Sequence, residues 1–276
     1  MSGYSLHLGL NRLSAAHYGS DQALKNAVAD AEAMRSIALS IGFEAAVLTD
    51  ANATVGNFAI NLNRLASTAV AGDIVFLSYA GHGSNVFDSS GDELADSLDE
   101  TWCLYDRMII DDELYGLYSL FKPGVRLLII SDSCHSGTVA RIIAGDEPDD
   151  PFLDHLSDRG ELLRGIGQAQ SREIYRANAH EYESVSALAA AGSRAELQCS
   201  LQLLAACQDN QLAGDGLGNG FFTTKLLHLW AGGAWQGTYT ELFETLQNDM
   251  PRQQKPNQQV LGEGTDAFIA QRPFTI

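Results

Sequence analysis

The sequence predicts an α/β fold whose mainly parallel central sheet is flanked by helices on both faces. Near-continuous apolar runs at residues 73–79, 125–131 and 200–207 have the pattern of strands buried on both sides. Helical apolar periodicity over residues 21–41 lies between the predicted strands at residues 4–10 and 44–49, and alternating helices and strands are typical of a parallel sheet. The 276 residues, 45% of them hydrophobic, are enough to form one large core.

The other elements follow in chain order. Gly42 stands where the first long helix should be capped, and Thr54 is the predicted N-cap of the next helix, which runs to about residue 70. The remaining predictions are strands at residues 4–10 and 44–49, a hairpin within 102–110, and helices at 221–230 and 238–250.

We interpret residues 1–276 as a single domain in two parts. Residues 1–145 form the larger part and residues 185–276 the smaller part. Residues 146–184 are polar and carry scattered arginines, which favours a mobile connector. An acidic insertion spans residues 91–113. The fold fills the chain almost to its end, so we expect no adaptor module, and a separate partner protein would supply any targeting or regulation.

Composition excludes several classes of function. The formal net charge of −18 disfavours nucleic-acid binding and would attract basic protein substrates. The sequence contains neither an apolar run of membrane-spanning length nor a secretory signal at its start, so we expect no membrane association. Cysteines occur at four positions without metal-ligand spacing, which favours a reducing, cytoplasmic location. They are Cys103, Cys134, Cys199 and Cys207.

Two strand ends carry the reactive residues. Residues 79–84 read YAGHGS and residues 132–137 read DSCHSG, and ligands collect beyond the carboxyl ends of parallel strands. Cys134 is the candidate nucleophile, and His82 is the candidate base that activates its thiol. The backbone amides of Gly83 and Cys134 are the candidate donors to the oxyanion.

Simpler interpretations of these residues exist. A lone cysteine at a strand end is usually a small core residue, and most histidines are structural or solvated. The pair favours catalysis because each residue has its own glycine-flanked motif at the end of its own strand. His135 is adjacent to the thiol in sequence, but a neighbouring side chain generally points elsewhere.

The chain resembles the metacaspases in four segments: YAGHGS, DSCHSG, the acidic stretch between them, and AACQDNQ at residues 205–211. The resemblance runs across almost the whole chain. It implies the caspase-hemoglobinase fold and a cysteine endopeptidase with a Cys–His dyad that cleaves after Arg or Lys. Residues 214–220 (GDGLGNG) lack the lysine of a phosphate-binding loop and resemble the loop before the last large helix of that fold.

The resemblance also implies two pocket carboxylates. Asp132 stands two positions before the nucleophile, and Asp30 ends an L-x-x-C-x-x-D-type segment in which Ala27 replaces the usual cysteine. Two carboxylates can hold a guanidinium through forked, charge-assisted hydrogen bonds. The alternatives are an exposed helical position for Asp30 and a structural acceptor in the turn for Asp132.

The acidic insertion matches the region where many metacaspases bind calcium. Asp99, Asp111 and Asp112 align with three acidic ligands, whereas Arg141 stands at the position of the fourth. We therefore expect no required cofactor and a weaker dependence on calcium than in calcium-activated relatives. An acidic run is also often only a solvated surface.

Two other functions stay open, an Asp-specific caspase-like peptidase and a catalytically silent scaffold of the same fold. Asp30 and Asp132 argue against the first, and the presence of both Cys134 and His82 argues against the second. The sequence further predicts a zymogen that cleaves its own connector, because mobile segments are where proteolysis concentrates. A permanently intact linker is the alternative, since some members of the resembled family work as single chains. The candidate positions are Arg159, Arg164, Arg172 and Arg176.

Overall fold

The structure is a computed structural model that describes residues 1–87, 98–133, 162–191, 196–207, 214–215, 218–252 and 254–276. The strands are β1 (Gly3–Gly9), β2 (Glu44–Thr49), β3 (Ile74–Ala80), β4 (Gly83–Phe87), β5 (Leu98–Cys103), β6 (Met108–Ile110), β7 (Arg126–Asp132), β8 (Leu162–Leu163), β9 (Ser200–Ala205), β10 (Gly214–Asp215) and β11 (Asn257–Leu261). The helices are α1 (Ala15–Tyr18), α2 (Ala27–Ser40), α3 (Val55–Thr68), α4 (Asp111–Tyr118), α5 (Gln168–Ala177), α6 (Ala179–Ala191), α7 (Phe221–Trp230), α8 (Tyr239–Asp249) and α9 (Thr265–Ile269).

A six-stranded sheet forms the centre, in the order β11-β9-β7-β3-β1-β2. All neighbouring pairs are parallel except β11 with β9. Successive side chains of a strand point to opposite faces, and in the central strands β3 and β7 both faces are buried. On β3, Leu77 joins the core cluster that contains Phe58 of α3, whereas Phe76 joins the cluster that contains Leu226 of α7. The predicted fold class is therefore confirmed.

Two small sheets lie outside the central one. Strands β4, β5 and β6 form an antiparallel sheet, which contains the hairpin predicted within residues 102–110. Strands β8 and β10 form a two-residue antiparallel pair. Helices α5 and α6 occupy much of residues 168–191, so the second half of the predicted connector is helical.

Most predicted elements are confirmed, including the Thr54 cap, whose hydroxyl accepts the Asn57 N–H at 3.1 Å. The first long helix begins at Ala27, later than predicted, with Asn26 as its N-cap. Gln22 has a φ of 44°, which an α-helix cannot contain, so the helix could not begin at residue 21. Strand β11 was not predicted, since it is a polar edge strand whose residues are all half-buried or exposed. None of the helices in the described ranges combines the length and apolarity that crossing a bilayer requires. The two-part division of the domain stays a prediction.

Candidate active site and specificity pocket

The two strand ends that carry the predicted motifs are neighbours in the sheet. Strands β3 and β7 pair in parallel, with Ala80 opposite Asp132. The Gly81 N–H donates to the Asp132 carbonyl at 3.4 Å, so the chain leaves both strands side by side. Cys134 and His135 come directly after Ser133 and lie outside the described residues, as does the Cys134 amide.

His82 is buried, and its ring has a defined tautomer. Its Nε2 lies 2.9 Å from the carbonyl oxygen of Gln22. A carbonyl can only accept, so Nε2 carries the hydrogen of the neutral ring and Nδ1 carries the lone pair. Nδ1 has no hydrogen-bond partner within the described part of the chain. Burial lowers the pKa of His82 to about 4, so the ring is neutral at pH 7 and Nδ1 can act as a base.

Tyr79 fixes the backbone beside His82. Its hydroxyl lies 2.6 Å from the His82 carbonyl oxygen and 3.0 Å from that of Cys103, and its ring stacks on Trp102. A Cβ on Gly81 would lie 2.7 Å from the Tyr79 hydroxyl, so the turn between β3 and His82 requires glycine. The glycine of the motif therefore allows the close packing that positions His82.

The structure brings the two predicted pocket carboxylates together. Asp30 on α2 and Asp132 at the end of β7 are both buried. Asp30 accepts hydrogen bonds from the Gly220 N–H at 3.0 Å and from Asn219 Nδ2 at 2.8 Å. Asp132 accepts the Thr223 N–H at 3.2 Å, in the first turn of α7. The structural role considered for Asp132 is thus real, and its role in binding substrate stays a prediction.

A third carboxylate, Asp215 on β10, lies beside these two, and an arginine of the same chain lies among the three. Arg164 is 0% exposed. Its Nη1 lies 3.2 Å from Asp132 Oδ2, its Nη2 lies 2.8 Å from Asp215 Oδ1, and Nη2 also bonds Asp30. Arg164 was predicted to lie in an exposed connector, and this prediction is wrong: the three carboxylates bury it.

The charges of the pocket respond to this burial. Desolvation raises the pKa of Asp30 to about 6, although the Arg164 guanidinium counteracts it. Burial alone would lower the pKa of Arg164, but Asp132, Asp30 and Asp215 together raise it above its usual value. The pocket thus strongly favours a cation, while it contains more negative charge than one guanidinium neutralises.

Gly83, the predicted oxyanion donor, lies against the backbone of the same arginine. The Gly83 N–H donates to the Arg164 carbonyl at 3.0 Å, and the Ile166 N–H donates to the Gly83 carbonyl at 3.0 Å. Just upstream, β8 pairs with β10, so Leu162 lies opposite Asp215. The chain around Arg164 is therefore held by its side chain, its carbonyl and its flanking backbone.

Sequence reasoning missed Asp215 and Gln22. Asp215 lies in the glycine-rich segment 214–220. Its acidic side chain in a loop that resembled a substrate loop was the signal that could have identified it. Gln22 contributes a backbone carbonyl, which no side-chain pattern reveals. Cys207, interpreted as a packing residue, is buried, and its thiol lies 3.3 Å from the Ser133 carbonyl oxygen.

The predicted calcium ligands are only partly described. Asp111 and Asp112 begin α4, where acidic side chains also complement the helix dipole. The side chains of Asp99 and Arg141 lie outside the described residues. Over the described ranges, no group of three or more His, Cys, Asp or Glu side chains is arranged to hold a metal ion. Weak calcium dependence stays a prediction.

The model of the caspase-domain peptidases matches residues 13–265, nearly the whole chain. The chain belongs to the caspase-domain family. Similar proteins include Metacaspase-1 of Arabidopsis thaliana, 36% identical over 117 residues, and Metacaspase-1 of Kluyveromyces lactis, 37% identical over 91 residues. These matches cover 40% and 31% of this chain, and they span 29% and 21% of those relatives.

A solved structure resembles this caspase-domain chain over its whole length. The crystal structure of protein GSU0716 from Geobacter sulfurreducens has a TM-score of 0.88 and 38% sequence identity. The similarity covers 100% of this chain and 99% of that one. Together with the family match, it supports a caspase-like peptidase, and the family is one of cysteine peptidases.

Proposed function

We propose that this protein is a cysteine endopeptidase that uses Cys134 and His82 to cleave peptide bonds after arginine or lysine. One observation carries the specificity: three buried carboxylates, Asp30, Asp132 and Asp215, surround an arginine side chain beside His82. A guanidinium is the group that such a pocket binds best, because forked contacts to several carboxylates combine charge with hydrogen bonds.

The mechanism follows from the proposed roles. His82 Nδ1 takes the proton of the Cys134 thiol, and the thiolate sulfur attacks the carbonyl carbon after the substrate arginine. The Gly83 N–H stabilises the negative oxygen of the tetrahedral intermediate. The C–N bond then breaks, and His82 returns the proton to the departing amine. Water hydrolyses the resulting thioester, which releases the carboxylate and regenerates the thiol.

The pocket should accept arginine better than lysine and should reject aspartate. Arg164 uses two nitrogens to contact three carboxylates, an arrangement that a single ammonium cannot reproduce. An aspartate side chain would add a fourth negative charge to a buried site. The Asp-specific alternative is therefore disfavoured. Basic protein substrates fit both the pocket and the net charge of −18.

One observation favours the silent scaffold. Arg164 fills the pocket, so a chain in which it never leaves would bind no substrate arginine. A measurement of peptide hydrolysis decides between the two functions.

The free thiols of Cys103 and Cys199 agree with the reducing compartment that the proposal assumes.

The test measures hydrolysis of matched fluorogenic peptides that end in Arg, Lys or Asp before the reporter group. We expect turnover of Arg and Lys peptides, and Cys134→Ala and His82→Ala should each abolish it. Because the two residues act as a unit, the double variant should be little worse than either single one. Matched controls are Cys199→Ala, in the core, and His180→Ala, on the surface of α6, both of which should stay active. An Asp preference, or activity that survives in folded Cys134→Ala, would contradict the proposal.

A further inference from the structure

Gly220, the residue before α7, lies against the guanidinium that the three carboxylates hold. It is buried, and its N–H donates to Asp30 Oδ1 at 3.0 Å. A Cβ added to Gly220 would lie 2.8 Å from Cζ and from Nη1 of Arg164, and 2.6 Å from Asp132 Oδ2. Non-bonded carbon atoms normally approach to about 3.5 to 4 Å, so a side chain at position 220 would overlap both the cation and one of its partners.

We propose that Gly220 makes this pocket selective for arginine over lysine, because only glycine leaves room there for a planar guanidinium against Asp132. The inference rests on the proposed function, and the Arg164 guanidinium stands for the same chemical group of a substrate. Backbone freedom does not explain the glycine, since Gly220 has a φ of −59° and a ψ of 156°, which other residues adopt readily. Space is the reason that remains.

Helix α7 cannot retreat to make room for a side chain at position 220. Phe222, Leu226 and Trp230 of this helix are buried in the core cluster that also contains Phe76 of β3. Protein interiors are close-packed, so even a small displacement of α7 would force overlaps or open voids in that cluster. The position of the Gly220 Cα is therefore set by the core.

The Asp132 carboxylate is also held in place. Its Oδ2 accepts the N–H of Thr223 at 3.2 Å and the hydroxyl of Thr223 at 2.7 Å, and both donors belong to the first turn of α7. A carboxylate with two donors from a fixed helix has little freedom to move. The group that must yield to a Cβ on Gly220 is therefore the cation.

Arginine and lysine differ in how much of the cation would meet that Cβ. Lysine Nζ is as many bonds from Cα as arginine Cζ, but the guanidinium extends one bond further and carries two more nitrogens. A guanidinium must fit as a rigid plane, whereas an ammonium is a compact charge on a flexible stem and can shift while it still reaches a carboxylate. A side chain at position 220 should therefore impair arginine substrates much more than lysine substrates.

The first experiment compares kcat/KM for matched Arg and Lys peptides in wild type, Gly220→Ala and Gly220→Ser. We expect the ratio of the Arg value to the Lys value to fall by about tenfold or more in both variants. Serine is a better helix N-cap than alanine, so agreement between the two variants would assign the effect to the Cβ rather than to the cap.

Gly116→Ala is the matched control for this experiment. Gly116 is exposed on α4, and within the described part of the chain a Cβ there would meet no atom of another element within 4 Å. The ratio of the two kcat/KM values should therefore stay as in wild type.

The second experiment requires no hydrolysis and uses Arg164 itself as the bound cation. In the Cys134→Ala background, Arg164→Lys is combined with Gly220 and with Gly220→Ala, and unfolding in urea is followed by circular dichroism. We expect Arg164→Lys to lower the urea midpoint when residue 220 is glycine, and to leave it unchanged or raise it when residue 220 is alanine. With Gly116→Ala in place of Gly220→Ala, lysine should lower the midpoint as it does in the parent chain.

The two experiments separate the failure of this inference from the failure of the proposed function. An unchanged ratio in folded Gly220→Ala and Gly220→Ser would overturn the inference and leave the proposed function standing. Equal effects of Arg164→Lys in the two chains would also overturn it, whether or not any peptide is hydrolysed. A chain that hydrolyses neither peptide would overturn the proposed function and substrate selection with it, and a urea midpoint that depends on residue 220 would then confine the role of Gly220 to the arginine of its own chain.

Discussion

Arg107 is half-buried and Arg164 fully buried against carboxylates, and the two sites differ in the balance of charge. Arg107, between β5 and β6, contacts both oxygens of Glu113 on α4 at 2.8 Å. A second carboxylate, that of Glu181, lies 3.7 Å away and is 48% exposed. Arg107 is thus neutralised by one forked pair that ties neighbouring elements of the fold together, with water available to the remaining charge.

Arg164 has three carboxylates, none more than 2% exposed, which come from α2, β7 and β10. An excess of buried negative charge destabilises the fold unless a cation pairs with the carboxylates, since desolvation of unpaired charges is costly. A structural contact such as that of Arg107 needs only charge balance. The three carboxylates around Arg164 exceed what charge balance requires, and this excess is what the proposed substrate pocket would need.

The largest expected effect is the loss of stability when each arginine is replaced in turn. In the Cys134→Ala background, which keeps the chain whole, Arg164→Met should lower the free energy of unfolding by about 3 to 5 kcal/mol, because it leaves buried carboxylates unpaired. Arg107→Met should cost only about 1 to 2 kcal/mol, since Glu113 can regain water. Urea unfolding followed by circular dichroism measures both. Equal losses would mean that the two sites do not differ in kind.

A smaller effect should separate the two sites by function. Asp215→Asn should lower kcat/KM for an Arg peptide by about 30-fold, which corresponds to about 2 kcal/mol for a lost buried charge partner. Glu113→Gln is the matched control, and kcat/KM should be unchanged. Steady-state kinetics on folded, processed enzyme measures both. Unaltered kcat/KM in Asp215→Asn would remove Asp215 from the specificity pocket.

The sequence predicted the sheet well because buried strands leave a local signal. The apolar runs that became β3, β7 and β9 need no partner to be recognised. The pocket was only half predicted. Asp30 and Asp132 stand at motif positions, whereas Asp215 reaches the same guanidinium from a two-residue strand that exists only through its pairing with β8.

The burial of Arg164 shows more clearly what local sequence cannot predict. The segment 146–184 that contains it is polar overall, which indicates exposure, although Leu162, Leu163 and Ile166 beside it are apolar. Its burial depends on carboxylates at positions 30, 132 and 215. Contacts between residues so far apart are properties of the folded chain. Local composition therefore predicted the opposite of what the fold does with this side chain, although it did mark Arg164 as a cleavage candidate.

The smallest expected effect is the pH dependence of stability that the buried Asp30 carboxyl contributes, for which the Arg107 site has no buried counterpart. Burial raises the pKa of Asp30 from 3.8 to about 6, so the folded chain binds its proton more tightly than the unfolded chain does. The stability that this proton supplies is fully present below pH 3.8 and is lost as pH rises through 6. Wild type should therefore gain stability relative to Asp30→Asn as pH falls from 7 to 5.

For one titrating group the slope cannot exceed about 1.4 kcal/mol per pH unit. Both chains are measured in the Cys134→Ala background by urea unfolding. Asp73 is the control of opposite sign: burial alone would raise its pKa, but the N–H groups of Val70 and Ser2 lower it overall. Asp73 stays ionised between pH 7 and 5, so the difference between wild type and Asp73→Asn should be constant there. A flat difference for Asp30→Asn as well would mean that Arg164 neutralises Asp30 completely, and the excess charge that distinguishes the pocket from the Arg107 site would not exist.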